Sequence, residues 1–144
     1  MAGEALVVVD ASVVVKWFVE EEYTDAALRL RDDYVERVVE VSSPDFLPYE
    51  VLNALRYNPT LGERQLKEIA KALDKFSFWL VPLEGELAEV SVENSLRHGI
   101  SVYDSAYVSL GHLSEAPVYT ADRRLMERMD DERIKHISTY KGLG

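Results

Sequence analysis

The sequence predicts an α/β fold in which helices cover both faces of a central parallel sheet of four to five strands. Short apolar runs rich in β-branched residues alternate along the chain with longer segments of helical spacing. The first run, Leu6 to Val9, is continuously apolar, as is typical of a strand that is buried on both faces. A length of 144 residues is close to the commonest domain size, so residues 1–144 are expected to form a single domain.

The first half of the chain is expected to hold two strands and four helices. A helix should begin near Ser12, a suitable N-cap, and another near Thr24. Val38 to Val41 predicts the second strand, which should end at the turn-forming residues 42–44. Pro48 suits the first position of a helix that continues to about Tyr57. The remaining predicted elements are a helix from about Glu63 to Ser77, a strand over Phe78–Val81, helices over Glu84–Arg97 and Tyr103–Ser114, a strand over Pro117–Thr120, a helix over Arg123–Met129 and a last strand over Ile134–Ile137.

The composition limits the kinds of site that the chain can carry. It has no cysteine and three scattered histidines, which excludes disulfides and thiolate zinc sites and disfavours an imidazole zinc site. Any metal would therefore be held by oxygen. The longest apolar run is Ala5 to Val9, far shorter than a bilayer requires, and the N-terminus lacks the pattern of a secretory signal. We therefore expect a cytoplasmic protein with no membrane partner.

A formal net charge of −10 argues against a broad basic surface, which proteins that bind nucleic acid normally have. Bound divalent cations would reverse the sign of the charge at an acidic site. Nucleic-acid contacts would then have to be local, and the candidate basic residues are Lys16, Arg56, Arg97, Arg123 and Arg124.

Asp10 is the only charged residue in the segment ALVVVDASVVV and follows the first predicted strand directly. Ligands of open parallel sheets bind beyond the carboxyl ends of the strands, so this position favours a functional role. The alternative is that Asp10 caps the helix that follows it.

Asp104 is the only formally charged residue in GISVYDSAYVSLGHLS, a segment that predicts a helix apolar or small on nearly every side. Such a helix is usually buried. An ionised carboxylate there costs several kcal/mol unless a cation or hydrogen bonds compensate it. The alternative is an acid in the first turn that the helix dipole favours.

Glu50 and Asp122 are two further candidates, each with a capping role as the alternative. Glu50 lies beside a predicted inward stripe formed by Leu47, Val51, Ala54 and Asn58. Asn53 shares the flank of Glu50 and is a candidate hydrogen-bond partner. Asp122 follows the predicted strand PVYT, so it should end at the same sheet edge as Asp10. Thr120 offers a hydroxyl that is suited to binding a metal or orienting Asp122.

Together, these placements at strand ends and helix starts favour one cleft. Four adjacent carboxylates repel one another unless a hard cation is present. Oxygen ligands without thiolates select Mg²⁺ or Mn²⁺, and such ions beside a phosphodiester support hydrolysis. The other acidic stretches, residues 20–22 and 130–132, are interpreted as solvated surface.

Four segments of the chain resemble, in order and spacing, the four acidic motifs of PIN domains: VVVDASVVVKWF, LPYEVLNALR, SVYDSAYVSLG and VYTADRRLM. The resemblance is especially to the VapC toxins of toxin–antitoxin pairs. The resemblance extends from about Leu6 to Ile137. It implies a three-layer α/β/α sandwich, endoribonuclease activity that depends on Mg²⁺ or Mn²⁺, a homodimer, and a VapB-like antitoxin that covers the site. It also implies metal-binding and catalytic roles for Asp10, Glu50, Asp104 and Asp122, with supporting polar roles for Ser12, Asn53 and Thr120.

Two other functions stay open. Phosphoryl transfer also uses strand-end aspartates, but haloacid-dehalogenase-like phosphatases carry a second Asp where this chain has Ser12. Receiver domains need paired acids near the N-terminus and a late Lys. The second alternative is a non-catalytic module of the same fold that binds protein or RNA, which the acidic surface would suit if the partner were basic.

Overall fold

Five strands form a fully parallel sheet in the computed structural model, which describes residues 5–142. The strand order in the sheet is third, second, first, fourth, fifth. The predicted parallel sheet of four to five strands is therefore confirmed. Residues 1–4 and 143–144 of the expected single domain lie outside the described residues. The strands are β1 (Ala5–Val9), β2 (Val39–Pro44), β3 (Trp79–Val81), β4 (Val118–Thr120) and β5 (Ile134–His136).

Helices lie on both faces of the sheet and complete the expected three-layer α/β/α sandwich. Their predicted order is also confirmed. Among residues 5–142, no helix is long and apolar enough to cross a bilayer. The helices are α1 (Ala11–Val15), α2 (Thr24–Val35), α3 (Leu47–Arg56), α4 (Glu63–Phe76), α5 (Gly85–His98), α6 (Val102–Ser114) and α7 (Arg123–Met129), followed by a short 3₁₀ turn (Ile137–Thr139).

The strand order places a topological switch point between β1 and β4. From β1 the chain first builds outward through β2 and β3, and then returns to the other side of β1 to add β4 and β5. The connections after β1 and β4 therefore diverge, which opens a crevice at the carboxyl ends of these two neighbouring strands. Ligands of doubly wound sheets bind in such a crevice.

Helix α6 packs against the centre of the sheet, where it contacts β1, β2 and β4. Residues 105–111 of this helix are all buried, as its apolar sequence predicts. Gly111 is required for the close approach, because a Cβ at this position would lie 2.2 Å from Cγ2 of Val118. The helix therefore carries its N-terminal turn to a fixed position beside the crevice.

Several predicted boundaries are wrong, most of them by a single residue, including the start of α3 at Leu47 instead of Pro48. Strand β2 continues through Ser42, Ser43 and Pro44 instead of ending before them, because these residues pair with β3. The Ser43 hydroxyl also donates to the Val9 carbonyl at 2.6 Å, which ties β2 to the end of β1. Helix α1 begins at Ala11 with Asp10 as its N-cap residue, two residues before the predicted cap Ser12. The last strand ends at His136, since Ile137 already belongs to the 3₁₀ turn.

Candidate functional site

Asp10 lies at the carboxyl end of β1 with only 7% of its surface exposed. Its Oδ1 accepts a hydrogen bond from the Ser12 hydroxyl at 2.5 Å, and its Oδ2 accepts one from the Thr120 hydroxyl at 2.5 Å. Although Asp10 occupies the N-cap position of α1, its side chain makes no capping hydrogen bond. The alternative role as a simple helix cap is therefore wrong for this side chain, and its carboxylate is oriented by two hydroxyls.

The same two hydroxyls connect β1 to the loop that follows β4. Ser12 Oγ accepts the backbone N–H of Ala121 at 2.9 Å, and Thr120 Oγ1 accepts that of Asp122 at 3.0 Å. Each hydroxyl thus donates to Asp10 and accepts from the neighbouring loop, so its donor and acceptor capacity are both used. This arrangement fixes the position of Asp122 relative to Asp10.

Asp122 does act as a helix cap, as the sequence allowed. Its Oδ1 accepts from the backbone N–H groups of Arg124 and Leu125 at 3.0 and 3.3 Å, at the start of α7. Within residues 5–142, its Oδ2 accepts no hydrogen bond. One oxygen anchors the side chain, and the other is available to a ligand.

Asp104 is the third residue of α6 and is half-buried. Ser101 caps this helix by accepting the Asp104 N–H at 3.0 Å. The cap sets the start of α6, and the close packing of the helix on the sheet sets its direction. Asp104 is therefore held at the crevice by a first turn that the helix dipole also favours for an acid.

Glu50 faces α6 from the first turn of α3 and is half-buried. Its Oε1 accepts a hydrogen bond from the hydroxyl of Tyr107 at 2.8 Å. Helix α3 has no side-chain capping hydrogen bond, so the capping alternative for Glu50 is wrong. Asn53 is exposed and, among the described residues, makes no hydrogen bond to Glu50. The expected partner Asn53 is thus replaced by a residue that lies 57 positions further along the chain.

The buried face of α3 differs slightly from the predicted stripe. Leu47, Val51 and Leu55 are buried, whereas Ala54 is exposed. The spacing of the buried residues is therefore a constant four positions. Glu50 still borders this buried face, as expected, because it lies between Leu47 and Val51, about one turn after Leu47.

Burial dominates the electrostatics of the site. It raises the pKa of Asp10 to about 6, an effect that the Ser12 and Thr120 hydroxyls oppose and that the charge of Asp104 increases. Burial also raises the pKa of Glu50, where the Tyr107 hydroxyl opposes the rise and Asp104 adds to it. These shifts show that both carboxylates carry an uncompensated cost when they are ionised.

Asp104 is the electrostatic centre of the four acids. Burial raises its pKa first, the charge of Asp122 raises it further, and Ser101 opposes the rise. Since Asp104 in turn acts on Asp10 and on Glu50, all four carboxylates share one field. Electrostatic coupling through Asp104 therefore links the four candidate acids beside the switch point of the sheet.

The donor chemistry of this cluster suits a hard divalent cation. The donors are carboxylate and hydroxyl oxygens, and a bound cation would offset the cost of ionising the buried Asp10. Among residues 5–142, no three acidic or imidazole side chains lie close enough together to enclose an ion by themselves. A cation here would keep part of its water shell, which is how Mg²⁺ usually binds to proteins.

Tyr107 is the residue of the site that sequence reasoning missed. Its side chain is 1% exposed, and burial together with the Glu50 charge raises the pKa of its hydroxyl, which therefore stays protonated as a donor. It lies three residues after Asp104, so it shares that flank of α6. A polar aromatic residue at this spacing in an otherwise apolar helix was the available signal, because a buried tyrosine hydroxyl usually needs a partner.

Comparison with known proteins agrees with this geometry. The family model described as PIN domain matches residues 7–132. Ribonuclease VapC3 of Pyrobaculum aerophilum is 31% identical over 125 residues, which cover 84% of this chain and 92% of that protein.

Solved structures show the same fold. A Pyrobaculum aerophilum crystal structure matches with 24% identity and a TM-score of 0.62, covering 96% of this chain and 94% of that one. Mycobacterium tuberculosis VapC20, described as a sarcin-ricin loop cleaving toxin, matches with 16% identity and a TM-score of 0.65, covering 84% and 93%. A toxin–antitoxin complex from Klebsiella pneumoniae matches with 14% identity and a TM-score of 0.62, covering 83% and 89%. The sheet order and the acidic crevice are consistent with the sequence match, and the chain belongs to the PIN domain family.

Proposed function

We propose that this protein is a VapC-type endoribonuclease that depends on a divalent metal ion and hydrolyses RNA phosphodiester bonds. The observation that carries the proposal is the electrostatic coupling of Asp104 to each of the other three carboxylates beside the switch point, where burial raises the pKa of three of the four. A cluster of this kind is unfavourable for the apo fold and favourable for binding a hard cation. The relative named Ribonuclease VapC3 supports RNA as the substrate.

Asp10, Glu50, Asp104 and Asp122 would hold Mg²⁺ or Mn²⁺, which when bound activates water and stabilises the departing oxygen of a phosphodiester. The protein contributes the orientation of these ligands. Ser12 and Thr120 fix both oxygens of Asp10, and Tyr107 fixes Oε1 of Glu50. Asp122 uses Oδ1 to cap α7 and presents Oδ2. Asn53 is proposed as a supporting contact on the exposed side of Glu50.

A cleavage assay tests the proposal directly. The intact protein is incubated with a pool of single-stranded RNAs in Mg²⁺, in Mn²⁺ or with EDTA, beside Asp10→Asn and Asp104→Asn. We expect cleavage that needs a metal and is reduced by at least about a hundredfold in both variants, since each removes a charged ligand. Glu132→Gln, which changes an exposed acid outside the cluster, is the matched control and should cleave normally. Cleavage in EDTA, or equal cleavage by all variants, would contradict the proposal.

The same proposal includes the partners. We propose a VapB-like antitoxin, because similar solved structures include a toxin–antitoxin complex from Klebsiella pneumoniae and FitAcB from Neisseria gonorrhoeae. We also propose a cytoplasmic homodimer in which residues 1–144 act as one nuclease domain. Two apolar side chains one turn apart on α5, Val92 and Leu96, are 51% and 81% exposed and favour a contact between copies.

Two measurements examine these partners. Light scattering should give twice the chain mass for the intact protein, and Leu96→Glu should give a monomer if α5 forms the contact. Co-expression with a small adjacent reading frame should yield a complex that no longer cleaves RNA. A monomeric native protein, or an active complex, would contradict the respective part of the proposal.

A further inference from the structure

A groove of about 960 Å³ opens between α3, α4 and the start of α6, directly beside the acidic cluster. Glu50 forms part of its wall, which places the groove next to the proposed scissile phosphate. The side chains that matter here are Phe46, Tyr49, Asn53, Arg56 and Tyr103.

Two tyrosines dominate the end of the groove that adjoins the acids. Tyr49 is 78% exposed and immediately precedes Glu50, while Tyr103 is 58% exposed and immediately precedes Asp104. Exposure of this kind leaves ring surface open to a planar ligand. Both rings line the same groove as Glu50, so a ligand in the groove that contacts the rings also lies beside this acid.

The ring of Tyr103 is supported from within the protein. Phe46 packs against it edge-on, with ring centroids 5.1 Å apart and an interplanar angle of 90°. Phe46 packs in the same way against Tyr107, at 5.4 Å. A ring that is held by its neighbours loses little conformational entropy when a ligand stacks on it.

The charge distribution disfavours recognition of the RNA backbone alone. The net charge is −10, and several basic side chains already have partners. Lys16, a candidate for nucleic-acid contact, is 7% exposed and lies 3.3 Å from Glu21, and Lys67 in the groove lies 2.7 Å from Glu63. Affinity for RNA must therefore come largely from contacts that do not depend on charge, and base stacking on aromatic rings is such a contact.

We propose that Tyr49 and Tyr103 stack unpaired bases next to the scissile phosphate, so that these two rings recognise RNA by its bases more than by its backbone charge. This inference rests on the proposed nuclease function. Bases in a duplex stack on one another and cannot lie on these rings, which is why the proposal specifies an unpaired segment. Arg56, at the groove, supplies a local positive charge for the adjoining phosphate.

The test uses short single-stranded RNAs in which 2-aminopurine replaces one base at successive positions. The fluorescence of this base falls when it stacks on a ring. Asp122→Asn provides a background that keeps the α7 cap, slows cleavage and leaves both tyrosines intact. We expect quenching at one or two positions, and binding about fivefold or more weaker after Tyr49→Ala or Tyr103→Ala. Tyr49→Phe and Tyr103→Phe keep the ring and should bind normally.

A matched control and a salt series complete the test. Trp79→Ala removes an aromatic ring that is 62% exposed but does not line this groove, and it should leave RNA binding unchanged. Between about 50 and 200 mM salt, binding should weaken by less than about tenfold, compared with about 10³ or more for proteins that make many phosphate contacts.

Three outcomes would overturn the inference: unchanged binding in both alanine variants, equal affinity for a duplex of the same sequence, or loss of affinity for a protein partner with RNA binding intact. In each of these three outcomes, metal-dependent cleavage by the native protein would still support the proposed nuclease function. Conversely, ring-dependent quenching without any cleavage would support the stacking site and contradict the nuclease.

Discussion

Thr120 donates a hydrogen bond from Oγ1 to Oδ2 of Asp10 at 2.5 Å, although 110 positions separate the two residues in the sequence. The bond crosses from the end of β4 to the end of β1, the two adjacent strands at the switch point. Because Thr120 also accepts the Asp122 N–H, one buried hydroxyl sets the geometry between two of the proposed metal ligands. This relationship makes the hydroxyl a target for mutation.

Thr120→Val should reduce cleavage by about ten- to a hundredfold, because residues that orient metal ligands typically have effects of that size. It should also lower the free energy of unfolding by about 1–3 kcal/mol, since Asp10 loses a donor in a buried environment. Cleavage rates and urea unfolding measure the two effects. Ser109→Ala, which removes a buried hydroxyl that accepts from Asn94 at 2.9 Å, is the control and should lower stability without slowing cleavage. Equal cleavage by both variants would argue against an orienting role for Thr120.

Tyr107→Phe should slow cleavage and shift the acid limb of the pH–rate profile to higher pH. The Tyr107 hydroxyl lowers the pKa of Glu50, so its removal lets burial raise that pKa further. The matched control is Tyr140→Phe, because Tyr140 is also buried and donates to a carboxylate, Oδ2 of Asp33, at 2.5 Å. A pH profile that moves equally in both variants would show that the effect is not specific to Glu50.

Asp10→Asn should gain stability relative to the native metal-free protein as the pH rises from 4 to 7. The pKa of Asp10 rises from 3.8 to about 6 on folding, so the native state takes up a proton that the unfolded state lacks in this window. The resulting stability is fully present below pH 3.8 and is lost as the pH rises through about 6, a loss of about 3 kcal/mol. Urea unfolding in EDTA from pH 4 to 8 should therefore show a difference between variant and native protein that grows with pH and levels off near pH 7. A difference that is independent of pH would contradict the burial of an ionisable Asp10.

Added Mn²⁺ should raise the Tm of the native protein, because an ion that binds only the folded state stabilises it by mass action. At about a hundredfold excess over Kd the gain is about 2.7 kcal/mol. The shift should be larger above pH 6, where Asp10 is ionised, and should be lost in Asp10→Asn. Glu132→Gln should retain the full shift. An identical rise in all three proteins would indicate binding elsewhere on the acidic surface.

The sequence was sufficient to predict the fold class and to single out the two most isolated acids as candidates. Strand and helix periodicity follow from local burial patterns, which the residues themselves carry. Asp10 and Asp104 stand out because each is a lone charge in an apolar segment, a cost that is visible without any contact map.

Tertiary structure decided the details that local pattern left open. The turn-forming propensity of residues 42–44 is overridden by their pairing with β3, which satisfies the backbone and uses the Ser43 hydroxyl. The partner of Glu50 is Tyr107 on another helix instead of Asn53 on its own helix. Asp122 both caps a helix and faces the cluster, two roles that its sequence position presented as alternatives.

The four acids thus differ in how they were found. The sequence singled them out as candidates and excluded thiolate ligands, because composition and charges within apolar segments are local properties. Their convergence was decided only by the sheet order, which sets the end of β1 beside the end of β4 and lays α6 across both. Hydrogen bonds and electrostatic coupling act over a few ångströms in space, whatever the separation along the chain, and only the folded structure determines which residues come that close.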